Sequence, residues 1–217
     1  MEVASTYSGD NTEAASGCQT AFAMASTEPV TTVLLTRPKR ADALRNYEKI
    51  LAAARDAFAE GGDATALEEI ARRAGVGIGT LYRNFPNRQA LLEAVYVDEV
   101  DQVCQAAADF ADAEPWAALT GWVDRLVAYI GTKQALATEL QKYLDADTEL
   151  FAACRTSLWS AGEPLLQRAQ DAGVVRKDVT IGELIHLVVG IVKIPSPDEA
   201  QKRHLLGVAL DGLRYRA

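Results

Sequence analysis

The chain of 217 residues is long enough for one large domain or two small ones, and its 49% hydrophobic content is that of an ordinary globular protein. Its longest apolar run, near residues 184–192, falls far short of the roughly 20 residues that a membrane-spanning helix needs. The formal net charge of -8 argues against a generic polyanion-binding protein. Residues 37–96, however, carry ten Lys or Arg against eight acids. A cationic block in an acidic chain indicates one localised anionic partner.

The cysteines and histidines do not form a pattern typical of metal binding or disulfide bonding. Cys18, Cys104 and Cys154 are scattered, and His186 and His204 lie far apart in the sequence. The N-terminus also lacks the basic and apolar regions of a secretory signal. We therefore expect reduced thiols in a cytoplasmic protein, with no metal site and no cofactor.

Residues 1–36 are rich in Ser, Thr, Ala and Gly and have no helical periodicity. This composition predicts a disordered tail, and Met24 is an alternative start. The β-prone run "TTVLLT" at 31–36 has no second strand with which to pair.

From Ala41 onward, apolar residues recur every three or four positions, and no strand pattern is present. The fold class predicted is all-α. Thr65 and Glu68 have the spacing of a capping box, Asn87 is placed to cap a long helix, and Gly131 predicts a break. The predicted helices cover about 42–60, 65–74, 78–85, 87–111, 116–131, 134–145, 148–172, 180–193 and 197–215.

The stretch "GVGIGTLYRNF" (75–85) joins two short helices and has the form of a helix-turn-helix. Gly75 is expected to form the turn, and Leu81 and Phe85 are expected to pack the second helix onto the first two. Glycine lowers helix stability by roughly 1 kcal/mol relative to alanine, so Gly77 and Gly79 need another explanation. A helix whose N-terminal end enters a DNA groove supplies one, because bare backbone approaches closely and exposed amides favour phosphate.

The core "IARRAGVGIGTLYRNFPNRQAL" (70–91), within a match over residues 40–96, resembles the N-terminal DNA-binding domain of TetR-type (TetR/AcrR-like) transcriptional regulators. Two positions depart from the family pattern. Gly77 stands where the family often has a capping Ser, and Arg88 stands where it usually has Lys. The resemblance implies a helix-turn-helix domain over 37–86 and a helical ligand-binding and dimerisation domain over 87–217.

The resemblance, together with the helical period, assigns a set of DNA-contacting residues. Thr80 is assigned to a base edge or phosphate, Tyr82 to phosphate through its hydroxyl, and Arg88 to phosphate as a cation. For Tyr82 the alternative is packing between helices, and for Arg83 and Asn84 it is a solvated face. Arg37, Lys39 and Arg40 form either a DNA-contacting arm or a solubilising one. The predicted set is Arg45, Thr65, Gly77, Ile78, Gly79, Thr80, Tyr82, Arg83, Asn84 and Arg88.

In the C-terminal half, aromatic residues are candidates for an effector pocket, although at helical spacing they also suit a core. The candidate pocket residues are Trp122, Tyr129, Tyr143 and Trp159. The last two predicted helices have wide apolar faces, for which the resemblance implies a four-helix dimer interface rather than packing within one chain. The predicted interface residues are Leu184, Leu187, Val188, Ile191, Leu206, Leu210 and Leu213.

The sequence contains no nucleophile elbow, P-loop or dinucleotide-binding glycine pattern, so an enzyme is not expected. The combined prediction is a homodimeric, sequence-specific DNA-binding regulator of a near-palindromic operator, and specifically a repressor released by a small-molecule effector. Two alternatives remain at this point. One is an effector-independent DNA binder or an activator, and the other is a helical interaction module that has lost DNA binding.

Overall fold

The computed structural model describes residues 37–61, 65–145, 148–195 and 198–214, with the side chains of 61 and 132–135 also left out. The predicted tail over 1–36 therefore lies outside the described residues. The helices within the described ranges are α1 (Ala41–Gly61), α2 (Leu67–Ala74), α3 (Ile78–Asn84), α4 (Arg88–Ala106), a 3₁₀ turn (Ala108–Phe110), α5 (Pro115–Leu140), α6 (Glu149–Asp171), α7 (Ile181–Val192) and α8 (Glu199–Leu213).

The all-α prediction is confirmed, but two local predictions are wrong. Helix α5 runs through Gly131 without a break, because a single glycine inside a long packed helix costs only about 1 kcal/mol. Thr65 does not cap α2. The capping position is Ala66, which makes no side-chain cap hydrogen bond, while the Thr65 hydroxyl donates to the Ala57 carbonyl at 2.9 Å. The predicted cap at Asn87 is confirmed, since its side chain accepts from the Ala90 amide.

Helices α1, α2 and α3 pack around a small apolar core. Its members recur every three or four residues along α1 and meet Ile70, Ala71 and Ala74 of α2 and Leu81 of α3. The fully buried side chains Ile50, Phe58, Ile70 and Leu81 form its centre. This core fixes α3 on the outer side of the unit.

Helix α4 connects this unit to the C-terminal bundle, because it packs against α1, α5 and α6. The fully buried indole of Trp122 on α5 donates to the Val103 carbonyl on α4 at 3.2 Å. A Cβ atom at Gly162 would lie 2.5 Å from the Trp122 ring, so α6 approaches α5 closely there. The α4–α5–α6 junction is therefore tightly packed.

The loop after α6 closes onto the end of α8. Gly173 adopts the left-handed conformation (φ 69°) at the end of α6. The Arg176 amide donates to the Leu213 carbonyl at 2.9 Å, beside a single antiparallel bridge between Val175 and Arg214. The loop after α6 is thus joined to the end of α8 through the backbone.

Candidate nucleic-acid interface

The turn between α2 and α3 has the geometry of a helix-turn-helix. Gly75 lies in the left-handed region, with φ 66° and ψ 32°, which a residue with a side chain adopts only at a cost. The Val76 amide then donates to the Ala71 carbonyl at 3.0 Å. Gly77 is extended and occupies the N-cap position of α3, and its carbonyl accepts from the Thr80 amide at 2.8 Å. The turn residues predicted from the sequence therefore have the roles expected of them.

One face of α3 holds the helix in place. Leu81 is fully buried and Phe85 is 3% exposed. The Phe85 ring lies 4.9 Å from the ring of Tyr47 on α1, measured between centroids. Between these two anchoring side chains, Tyr82 and Arg83 are exposed and Asn84 is half-buried.

The outward face of α3 carries an aromatic ring and several polar groups. Tyr82 is 45% exposed and Ile78 is 38% exposed. The Arg83 guanidinium donates to the Thr80 hydroxyl at 2.9 Å, and the Asn84 amide group donates to the Thr80 carbonyl at 2.8 Å. Gly77 and Gly79 are exposed, with open space where a Cβ would stand. The α3 part of the predicted DNA-contacting set is therefore brought together on one surface.

Two further members of the predicted set, Thr65 and Arg88, have partners outside α3. The Arg88 guanidinium donates to the Thr65 carbonyl and lies 4.9 Å from the centroid of the Phe58 ring. Thr65 is tied to α1 through its hydroxyl, as described above. Both residues fasten the α1–α2 junction to the start of α4. Arg45, by contrast, is exposed on α1.

The cations of α2 are neutralised locally. Arg72 and Arg73 both bind the Glu69 carboxylate, at 2.7 Å and 2.8 Å, and Arg73 also contacts Glu60 at 2.7 Å. Hydrogen bonds from Arg72 and Arg73 lower the pKa of Glu69 to about 2. The α2 surface is thus a mixed network of charges, whereas α3 itself contains no acidic residue.

An ion-pair cluster that the sequence analysis missed joins the helix-turn-helix unit to α4. Asp98 binds Arg37 at 2.9 Å and Arg55 at 2.8 Å, and Arg55 also contacts Glu99. Burial raises the pKa of the Glu99 carboxyl, and the Arg55 guanidinium opposes that rise. Sequence spacing gave no signal, because the partners are up to 61 positions apart. Arg37, which was expected in an arm, is held against α4 instead.

The predicted pocket aromatics do not surround one space. Trp122 is sealed inside the α4–α5–α6 junction, and Tyr143 is 46% exposed. The Trp159 ring packs edge-on against His186, with centroids 6.4 Å apart. Tyr129 lines a polar cavity of about 500 Å³ between α4 and α5, together with Glu99, Gln102, Gln105, Asp109 and Arg125. Helical spacing alone did not distinguish core aromatics from cavity-lining ones.

Most of the predicted interface residues are buried within the protomer itself. The buried residues are Leu184, Val188, Leu206, Leu210 and Leu213. Ile191 is partly buried and packs against the same core. Leu187 is 40% exposed, and Val208, on the same pair of helices, is 57% exposed. The outward apolar surface of α7 and α8 is therefore smaller than the sequence pattern predicts.

Comparison with known proteins identifies the family. The profile of bacterial regulatory proteins of the tetR family matches residues 50–95, and that of the SbtR-like transcriptional regulator C-terminal domain matches residues 114–215. The TetR transcriptional regulator SCO0520 from Streptomyces coelicolor shares 39% sequence identity with the chain, and its crystal structure matches with a TM-score of 0.69. That match covers 79% of this chain and 99% of the other. The chain belongs to the TetR family of transcriptional regulators.

Two further comparisons agree with this TetR-family assignment. A TetR regulator from Mycobacterium vanbaalenii is 35% identical, with a TM-score of 0.67, over 82% of this chain and all of that one. The HTH-type transcriptional regulator SAR0097 of Staphylococcus aureus is 34% identical over 107 residues. This last match spans 48% of the chain and 56% of the staphylococcal protein.

Family membership makes the chain a DNA-binding transcriptional regulator rather than an enzyme. Within the ranges described by the structure, no three metal-ligating side chains come together. None of the helices in those ranges has the length and apolar character needed to cross a bilayer.

Proposed function

We propose that this TetR-family regulator inserts the outward face of α3 into the major groove of a specific operator. The observation that carries the proposal is that Leu81 of α3 and the adjoining Phe85 are buried, whereas Tyr82 and Arg83 are exposed and Thr80 is half-buried beside them. Open space at the Cβ positions of Gly77 and Gly79 would let the duplex approach the backbone closely. Thr80, Arg83 and Asn84 already form one hydrogen-bonded group that can be redirected to base edges.

The regulator is proposed to act as a homodimer on a near-palindromic site. One recognition helix of seven residues buries too little surface for specific affinity, whereas a two-fold dimer presents two such helices about 34 Å apart. Leu187 and Val208 supply exposed apolar surface on α7 and α8. Gly190 and Gly207 have no atoms within 4 Å of a Cβ position, which leaves room for a partner helix.

We further propose that the protein is a cytoplasmic repressor that a small molecule releases from DNA. Helix α4 supports this proposal, because it contacts both α1 and the C-terminal bundle. A ligand that binds better to a conformation with altered α4 orientation would increase the population of that conformation. In that conformation the two α3 helices of the dimer would no longer have the spacing of the operator half-sites.

Electrophoretic mobility shift with the DNA upstream of the protein's own gene, followed by genome-wide mapping of bound sites, tests the proposal. A preferred, near-palindromic sequence is expected. Thr80→Ala should change affinity in a sequence-dependent manner, and Tyr82→Phe should weaken binding by about fivefold through loss of one phosphate contact. Affinity for all duplexes equal to that of competitor DNA would refute operator recognition.

The dimer is tested separately by sedimentation. Leu187→Arg combined with Val208→Arg should yield a folded monomer that has lost operator binding. Lys177→Arg, on an exposed loop, serves as a control that keeps the wild-type mass. A double variant that remains dimeric would place the interface elsewhere.

A further inference from the structure

A cavity of about 770 Å³ lies between the middle of α5, the end of α7 and the start of α8. Its size is within the range of pockets for drug-sized ligands. None of the predicted pocket aromatics lines it. The lining residues that matter for its chemistry are Val127, Ile130, Ile191, Leu206, Lys193 and Arg203.

The floor of this cavity is aliphatic. Ile130 is 7% exposed and Leu206 is 8% exposed, so both belong to the core that the cavity borders. Val127 and Ile191 are partly buried and pack against that core. Such a surface favours an apolar ligand, because binding removes apolar area from water.

The rim of the cavity is cationic. Among the described residues, Lys193, Lys202 and Arg203 line it with one carboxylate, Glu199, which lies 2.8 Å from the Lys202 ammonium. Arg203 contacts the Glu199 backbone carbonyl at 3.4 Å, and both Arg203 and Lys193 are exposed. After the Lys202–Glu199 pair is formed, Lys193 and Arg203 leave two positive charges at the rim among the residues that the structure describes.

We propose that this cavity binds a small amphipathic anion, with its aliphatic chain against Ile130 and Leu206 and its carboxylate or phosphate at Arg203 and Lys193. The proposal names the effector site of the regulator and in that respect rests on the function proposed above. Binding itself is measurable without DNA.

The neighbouring polar cavity connects the proposed ligand site to residues that contact the helix-turn-helix unit. Ala128 lines both cavities, so they meet along one turn of α5. The polar cavity contains Glu99, which binds Arg55 of α1. A ligand that moves this turn of α5 therefore also moves one wall of the cavity that contains Glu99.

Isothermal titration calorimetry of the full chain without DNA tests the site with octanoate, octyl phosphate, octanol and octylamine. At least one anion should bind roughly tenfold or more tightly than octanol and octylamine, because a charge-assisted hydrogen bond is worth about 1.5 kcal/mol or more. Comparison of the octanoate and octyl phosphate affinities then shows whether the site prefers a carboxylate or a phosphate. Equal binding of all four probes, or of none, would overturn the proposal.

Substitutions at the cavity test whether the anions bind there. Gly131 lines the cavity and has open space at its Cβ position, so Gly131→Leu should fill the cavity and abolish binding in a protein that still folds. Arg203→Gln should weaken anion binding about tenfold and leave octanol unaffected, whereas Lys177→Gln, which removes a cation elsewhere in the domain, should change neither. Wild-type anion affinity in Arg203→Gln would overturn the assignment even if Gly131→Leu did not fold.

Operator binding in the same samples separates the two proposals. Anion binding that leaves operator affinity unchanged would refute the effector role and keep the site. Specific operator binding together with failure of every anion would overturn the site and leave the DNA-binding proposal intact.

Discussion

The Nη2 atom of Arg55, on α1, lies 2.8 Å from Oδ2 of Asp98, on α4. The same carboxylate also binds Arg37, and its side chain is only 16% exposed. This contact is one of few charged connections between the helix-turn-helix unit and α4 among the described residues, and it involves a largely desolvated acid. Removal of one partner should therefore cost more than at an exposed ion pair, because it leaves a partly buried charge without compensation.

Asp98→Asn should lower the free energy of unfolding by about 1–3 kcal/mol, because two guanidinium groups lose their shared carboxylate. Urea denaturation measures the change. Arg40→Gln is the matched control. It breaks the Arg40–Asp42 pair, whose side chains are 85% and 62% exposed, and should alter stability by less than about 0.5 kcal/mol. Equal effects of the two variants would show that the Asp98 cluster adds no stability.

Gly79→Ala should have opposite effects on stability and on DNA affinity. The added methyl meets no atom within 4 Å and favours the helix by up to about 1 kcal/mol. If α3 lies in the groove, the same methyl faces the duplex and weakens operator binding. Thermal unfolding and fluorescence anisotropy with labelled operator give the two values. A stabilised variant that keeps full affinity would move the contact surface away from Gly79.

Arg45 and Arg88 should differ in their effect on the salt dependence of operator binding. Arg45→Ala removes an exposed cation and should reduce the slope of log affinity against log salt by about one. Arg88→Ala removes a cation that is bound to the Thr65 carbonyl and to the Phe58 ring. It should lower stability by about 1–2 kcal/mol and leave the slope unchanged. A flattened slope in Arg88→Ala would show that Arg88 leaves these partners to bind phosphate.

The Glu69 carboxylate should contribute to acid unfolding. Its pKa is lowered from 4.5 to about 2, so its contribution to stability is complete above about pH 4.5 and disappears as the pH falls toward about 2. The Glu69→Gln variant lacks this group, so the stability difference between wild type and variant should narrow over that interval. Unfolding measured at a series of pH values checks this. A difference that is independent of pH would show that the pKa is not depressed.

Two glycines in helices of the C-terminal bundle should respond to alanine with opposite signs. Gly162→Ala brings a methyl to 2.5 Å from the Trp122 ring and should cost about 1–3 kcal/mol. Gly131→Ala enters open space and should add up to about 1 kcal/mol. Denaturation of both variants is the measurement, and stabilisation by Gly162→Ala would contradict the packing described for the α5–α6 contact.

The sequence was sufficient where the determining interactions are local. Gly75, Gly77 and Asn87 fix the turn and the start of α4 through contacts a few residues away, so their roles were predictable. Leu184 and Leu187 show where prediction stops. Both are apolar and lie on α7, yet one is fully buried and the other is 40% exposed. The position of an apolar residue in the sequence of α7 does not show whether its side chain packs inside the protomer or lies on the surface. The Arg55–Asp98 contact and the cavity beside Ile130 depend on tertiary placement, which spacing cannot supply.

The hydrogen bond from Trp122 to the Val103 carbonyl has a practical consequence. All three tryptophans of the chain, at 116, 122 and 159, lie in the C-terminal bundle. Trp122 is the one bonded to the backbone of α4, in a dry environment. Its emission should be blue-shifted and should change when the gap between α4 and α5 changes. Intrinsic tryptophan fluorescence should therefore report motion of α4 without an added label. The helix-turn-helix unit contributes no tryptophan emission, because it contains no tryptophan.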